Sequence, residues 1–136
     1  MANQFTIVPI GVVRKKDDMA WIEIDDFYSD ALLGLDGFSH IQVFYWFHKN
    51  DSPEKRQVLR VHPRKEKRNP LTGVFATHSP MRPNLIAHTL CKILDLEGTT
   101  IKIDEIDAMD GSPVIDIKCY SPSTRSLKDL RLPDWV

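Results

Sequence analysis

Along most of this chain apolar and polar residues alternate with a period of two, and a helical period surfaces only once. Between Met19 and Asp25, Ile22 and Ile24 alternate with Glu23 and Asp25, the pattern of a half-buried strand. Phe5 to Arg14 is apolar on both parities, with Ile7, Pro9, Gly11 and Val13 on one and Val8, Ile10 and Val12 on the other. That predicts a strand covered on both sides, or a barrel strand near a subunit contact, paired to 19–25 across the turn Lys15-Lys16-Asp17-Asp18. Phe38 to His48 carries the strongest strand signal, because aromatic and β-branched residues dominate it. Ile41, Val43, Tyr45 and Phe47 form its core parity; His40, Gln42, Phe44, Trp46 and His48 form a face able to line a pocket.

Ile86 to Leu96 and Thr99 to Asp104 predict a hairpin about Glu97-Gly98-Thr99. Val114 to Tyr120 predicts a last strand, with Ile115 and Ile117 inward and Asp116 and Lys118 outward. Val58 to Val61 and Val74 to Thr77 predict short strands. The helix signal spans Tyr28 to Leu35, where Asp26 or Ser29 can cap the start and Gly37 the end. Lys49 to Gln57 and His62 to Thr72 read as polar loops. The tail 121–136 has no period, and its leucines and Trp135 predict docking on the body or on a partner. The sum is a mainly β, antiparallel fold with one or two short helices.

A length of 136 residues fits a single domain, with a core over about 5–120. A hydrophobic share of 42% with 27% charged residues and nine prolines describes a soluble, loop-containing protein. The longest apolar run, Ile41 to Phe47, is broken by Gln42 and falls far short of a bilayer span, so no membrane association is expected. No basic segment followed by an apolar run opens the chain, so cytoplasmic residence is the expectation. Cys91 and Cys119 lie outside any C-x-x-C spacing and read as reduced core residues. His40 and His48 share a strand, yet roughly 26 Å of extended chain between them rules out one shared ion, and no other histidine spacing suggests a metal. A net charge of −1 excludes a wholly basic coat but leaves a local patch, in which Arg60, Arg64, Lys65, Lys67 and Arg68 face a single Glu66. Such a run is solvated surface in most proteins; a polyanion contact is its functional alternative.

The densest stretch is Gly73 to Thr89, GVFATHSPMRPNLIAHT. Pro80 and Pro83 fix φ on either side of Met81 and Arg82, so the segment is neither helix nor central strand. Ser79, Arg82 and Asn84 project a hydroxyl, a guanidinium and an amide from this stiff turn; it is either a binding loop or a surface turn whose polar groups serve their own backbone. Asp110-Gly111 is a second such turn. Glycine permits close backbone approach to a ligand and the carboxylate can accept hydroxyl or amine hydrogens, although DG also marks a plain hairpin.

Three ordered segments, GLDGFSHIQVFYWFH from Gly34, GVFATHSPMRPN from Gly73 and MDGSPVIDIKCY from Met109, resemble the TrmO/TsaA-like family of S-adenosylmethionine-dependent tRNA threonylcarbamoyladenosine methyltransferases. The resemblance implies a single barrel-like domain, a homodimer, and S-adenosylmethionine bound near the subunit interface. Carried over position by position, cofactor contacts fall on His48, Lys49, His78, His88, Ala108, Met109, Asp110 and Gly111. Arg82 and Asn84 are candidates for substrate or cofactor recognition, Arg64 for a tRNA phosphate. This chain departs from the family at His78, where arginine is usual, at Leu85 and Ala87, which replace proline and glycine, and between Arg14 and Trp21, where a cofactor-binding loop of longer members is missing. The expected activity is methylation of the exocyclic nitrogen of threonylcarbamoyladenosine beside the anticodon. The alternatives are a cofactor-binding or RNA-binding module that has lost or changed that catalysis, and a methyltransferase with a small-molecule acceptor.

Overall fold

Strands form where the alternation is cleanest. The structure, a computed structural model, describes residues 3–123 and 125–136. Its strands are β1 (Gly11–Lys16), β2 (Met19–Ile24), β3 (His40–Trp46), β4 (Arg60–Val61), β5 (Thr72–Gly73), β6 (Ile86–Glu97), β7 (Thr100–Ile103) and β8 (Pro113–Cys119). Six of them close into an antiparallel barrel in the order β1-β2-β7-β6-β3-β8, and β4 with β5 makes a separate two-stranded ribbon. The alternation seen in sequence fills the barrel interior: Val13, Ile22, Ile41, Val43, Ile101 and Val114 are all fully buried. Each such side chain contributes about 1.5–3 kcal/mol relative to leaving it in water.

Two bulges adjust this alternation. In β6 the pairing to β7 shifts between Ile93 and Asp95, so that Ile93 and Leu96 both reach the core. In β8 the pairing to β3 shifts between Phe44 and Tyr45. Val114 and Ile117 therefore face the core, where Ile115 and Ile117 were expected. An extra residue in one strand reverses side-chain parity beyond it, and bulges are common where a barrel turns a corner.

Barrel closure is narrow. β1 pairs with β8 only through Gly11↔Val114 and Val12↔Pro113, helped by Ile10 N–H donating to Val114 O at 2.7 Å and Val13 N–H to Ser112 O at 2.9 Å. The strand predicted from Phe5 consequently starts six residues late. Pro9 offers no N–H to a ladder, and Phe5, Ile7 and Val8 are exposed.

Other differences also have local causes. The predicted 28–35 helix is two short 3-10 turns, Asp26–Leu32 and Leu35–Gly37, separated by Gly34 at φ 86°. Val74–Ala76 is a 3-10 turn rather than a strand, held by the Thr77 hydroxyl donating to Val74 O at 2.8 Å. Within the loop predicted for 49–57, α1 (Pro53–Arg56) forms because Ser52 accepts the Lys55 amide and proline suits the first helical position. In the tail, Leu127, Leu130 and Leu132 are exposed and Trp135 is half-buried. No helix among the described residues is long and apolar enough to cross a membrane.

Of the two cysteines expected in the core, only Cys91 is there. Cys119 ends β8 where that strand has left β1 behind, and it is exposed. Burial pushes the Cys91 thiol up to about 12, with the Asp104 and Glu105 carboxylates adding to the effect. A thiol reagent at pH 8 is expected to titrate one cysteine in the native protein and two after denaturation, because only the thiolate reacts. Two fast native thiols would contradict the buried placement of Cys91.

Candidate functional site

Where β3 ends and β6 begins, a cleft of about 830 Å³ opens between four parts of the chain. Tyr45 of β3 and Phe47, His48, Lys49 and Asn50 just beyond it line one side. Thr77, His78, Pro80 and Arg82 come from the proline turn; Ile86, Ala87 and His88 start β6; Asp107, Ala108, Met109 and Ser112 precede β8. Phe75 and Lys65 reach in from the loop side. The two turns singled out in sequence thus meet across one cavity, together with the end of the first matching segment.

The proline turn is stiff for reasons beyond its prolines. Ser79 N–H donates to the Thr77 hydroxyl and Met81 N–H to the Ser79 hydroxyl, each at 3.2 Å. Arg82 spends its guanidinium on the same turn, donating to Thr77 O at 3.2 Å and Ser79 O at 3.1 Å. Arg56 clamps the turn from outside: its Nε donates to Pro83 O at 2.8 Å, its Nη2 reaches Asn84 Oδ1 at 3.5 Å, and its guanidinium lies 5.5 Å over the Trp46 ring. Asp51 holds this clamp, pairing with Arg56 at 3.6 Å and accepting the Trp46 indole N–H at 3.0 Å. Arg82 therefore lines the cleft while bracing its wall. Asn84 lies outside it.

The second turn is stapled to β1. Lys15 Nζ donates to Ile106 O at 2.9 Å and to Ala108 O at 3.0 Å, and Lys15 N–H donates to Asp110 Oδ1 at 2.9 Å. Gly111, at φ 86°, donates its N–H to Val13 O at 2.8 Å. The Ser112 hydroxyl and amide both return to Met109 O. Asp110 and Gly111 thus face β1, and Asp107 is the carboxylate on the cleft wall. Its charge, with burial as the larger cause, helps to raise the pKa of Tyr45; the Thr89 hydroxyl, 3.0 Å from the phenol oxygen, pulls the other way.

Of the sequence candidates, His48, Lys49, His78, His88, Ala108, Met109 and Arg82 line the cleft, whereas Asp110, Gly111, Asn84 and Arg64 do not. Asp107 and the buttresses Lys15 and Arg56 lie outside the motifs, Lys65 stands out in sequence only as part of the basic patch, and Phe75, although inside a matching segment, carries no polar group to mark it. Two of the departures noted in sequence are structurally absorbed. Leu85 is fully buried and its carbonyl accepts the Phe47 N–H at 2.9 Å, and Ala87 is a core residue on the cleft floor. The missing loop is a tight Asp17-Asp18 connection between paired Lys16 and Met19. Among the described residues no group of His, Cys, Asp or Glu is arranged to hold a metal ion.

Comparison with known proteins supplies a context for this cleft. The family described as the tRNA-methyltransferase O N-terminal domain matches residues 3–126. A probable S-adenosyl-L-methionine-binding protein of Methanocaldococcus jannaschii is 47% identical over 117 residues, covering 86% of this chain and 93% of that protein. The tRNA (adenine(37)-N6)-methyltransferase of Homo sapiens is 43% identical over 93 residues, 66% of this chain but 20% of that protein. The crystal structure of TrmO from Pseudomonas aeruginosa shares the fold with a TM-score of 0.71 at 25% identity, over 95% of this chain and 61% of that one. This chain accordingly spans about three fifths of the solved TrmO chain. With nearly its whole length matched, the chain belongs to the family of the tRNA-methyltransferase O N-terminal domain.

Proposed function

We propose that this chain binds S-adenosylmethionine in the cleft and methylates the exocyclic nitrogen of threonylcarbamoyladenosine beside the tRNA anticodon. The observation that carries the reading is the meeting of the proline turn, the 107–112 turn and the end of β3 around one cavity. Its volume lies in the range of small-molecule sites, about 300–1,000 Å³, and its walls suit such a ligand. Asp107 offers a carboxylate to a ribose diol or an amine, Lys49 an ammonium to a carboxylate, and Phe47 and Phe75 apolar faces to an adenine. When bound, this cofactor supplies a methyl group already activated by its sulfonium charge, so holding the reactants in line is the protein's main task. His48, Lys49, His78, His88, Ala108 and Met109 form the cofactor wall in this reading. Asp110 and Gly111 act by fixing the turn, and Arg82 and Asn84 by fixing the opposite one. Arg64, with Arg60, Lys67 and Arg68, meets tRNA phosphate outside the cleft, in the cytoplasm.

A homodimer belongs to the same proposal. Trp46↔Ile86, Phe44↔His88 and Gln42↔Leu90 are cross-strand neighbours, so Phe44, Trp46, Ile86 and Leu90 share the outer face of β3 and β6. Ile86 and His88 also line the cleft, so a second copy covering this face would abut the cofactor. Sedimentation equilibrium reads out this association.

The decisive test is mass spectrometry of the purified protein for S-adenosylmethionine or its demethylated product, followed by methyl incorporation into tRNA carrying threonylcarbamoyladenosine. Cofactor retention and incorporation are expected, with tRNA binding falling steeply as salt rises. Cofactor binding without incorporation would favour the second reading, a cofactor-binding protein with another acceptor or none, which the description of the M. jannaschii relative favours. Failure to bind the cofactor at all would remove both.

A further inference from the structure

The cleft carries more positive charge than its cofactor needs. Lys49, Lys65 and Arg82 line it against the single carboxylate of Asp107. Arg82 is committed to the Thr77 and Ser79 carbonyls. Lys49 and Lys65 take part in none of the ion pairs among the described residues, which join Arg14 to Glu23, Arg56 to Asp51 and Arg68 to Glu66. S-adenosylmethionine brings one carboxylate, which Lys49 at the end of β3 suffices to meet. It also brings a sulfonium and an ammonium, so a second lysine beside it is repelled.

The loop that delivers Lys65 is built to hold it there. Arg64 and Lys65 are consecutive non-glycine residues in the left-handed region, at φ 59° and 57°, a conformation that persists only where the surroundings enforce it. Those surroundings are specific. His62 Nδ1 bonds with Asn69 O, Asn69 Nδ2 donates to Pro63 O and Asn69 N–H to Glu66 O, each at 2.9 Å. Pro63 is buried beneath them, and Arg68 holds the loop's only acid, Glu66, at 3.2 Å. The loop thereby turns Lys65 to the cleft and leaves Arg64 outside it.

We infer that Lys65 is an acceptor-binding and specificity-determining residue: its ammonium, at the cleft wall, pairs with an anionic group that the methyl acceptor brings in, a phosphate or a carboxylate. This rests on the reading above that the cleft binds S-adenosylmethionine and admits tRNA. A loop already fixed in its backbone loses little main-chain freedom on binding, and a lysine contact to a polyanion weakens with salt.

The test compares the full chain with Lys65→Asn, which tolerates the left-handed backbone, and Lys65→Arg, which keeps the charge. Lys65→Asn is expected to raise KM for threonylcarbamoylated tRNA about tenfold, and to flatten the salt dependence of tRNA binding by about one unit of slope. Its kcat and its Kd for S-adenosylmethionine should stay within about twofold of the wild-type values, and Lys65→Arg should restore most of the KM. Equal loss of binding to tRNA lacking the threonylcarbamoyl group marks the anion as a phosphate; loss confined to the modified tRNA marks it as the carboxylate. Wild-type KM and slope in Lys65→Asn, with wild-type methylation intact, would overturn the assignment alone, as would weakened S-adenosylmethionine binding at unchanged KM. A wild-type chain that binds the cofactor yet never engages tRNA would overturn the underlying reading, and the assignment with it.

Discussion

Gly11→Ala is expected to destabilise the protein by about 3 kcal/mol, a large share of the roughly 5–15 kcal/mol that holds a domain of this size. Gly11 is buried and pairs with both Ile24 and Val114, so it stands at the seam where β1 closes the barrel. A Cβ there would overlap the Glu23 carbonyl oxygen and lie 3.1 Å from the carbonyl carbon and from Ile24 Cα. All three are main-chain atoms, which no rotamer change can move aside. Relief requires β1 and β2 to separate, and with them the short β1–β8 ladder. Thermal melting should fall by roughly 10 °C. A melt indistinguishable from wild type would mean that β1 does not approach β2 this closely, and the closure described above would be wrong.

Asp107→Asn is expected to weaken S-adenosylmethionine binding tenfold to a hundredfold, corresponding to about 1.5–3 kcal/mol for a hydrogen bond to a charged group. Asp107 is the one acid on the cleft wall, and its carboxylate engages in none of the ion pairs among the described residues. Replacing it therefore costs the fold little, about 0.5 kcal/mol or less for an exposed site without partners. Asp110→Ala should behave in the opposite way. It removes the acceptor of the Lys15 amide, costs about 1 kcal/mol of stability, and affects the cofactor only through a loosened turn. Titration calorimetry beside melting curves separates the two. A larger affinity loss at Asp110 than at Asp107 would return the ligand contact to the Asp-Gly pair.

Sequence alone revealed most of the barrel, because period-two alternation is a property of the strand itself. Ile22, Ile24, Ile101 and Ile103 point inward as their spacing demands. What it hid were features decided by neighbours. The parity switch at Ile115 follows from a bulge against β3, and the late start of β1 from Pro9 and the lack of pairing upstream. Cys119 is exposed because β8 outruns β1. The site divides in the same way. The motifs marked both turns, since proline and glycine act locally, but an Asp-Gly pair does not reveal which way its carboxylate faces. That depended on Lys15, 95 residues away from Asp110 in sequence. Asp107 and Lys65 lie beside the motifs rather than in them, and only the folded chain brings their charges to a common wall.

Lys15 ties β1 to the turn at 106–110, so on the proposed function occupancy of the cavity and survival of the barrel would form a single equilibrium. A molecule gripping residues 107–109 acts through that ammonium as a brace on the first strand, and at a hundredfold excess over its Kd it would add about 2.7 kcal/mol to the resistance against unfolding. For a small protein whose ring is shut by so few main-chain bonds, the nucleoside it works with would also serve as its keystone.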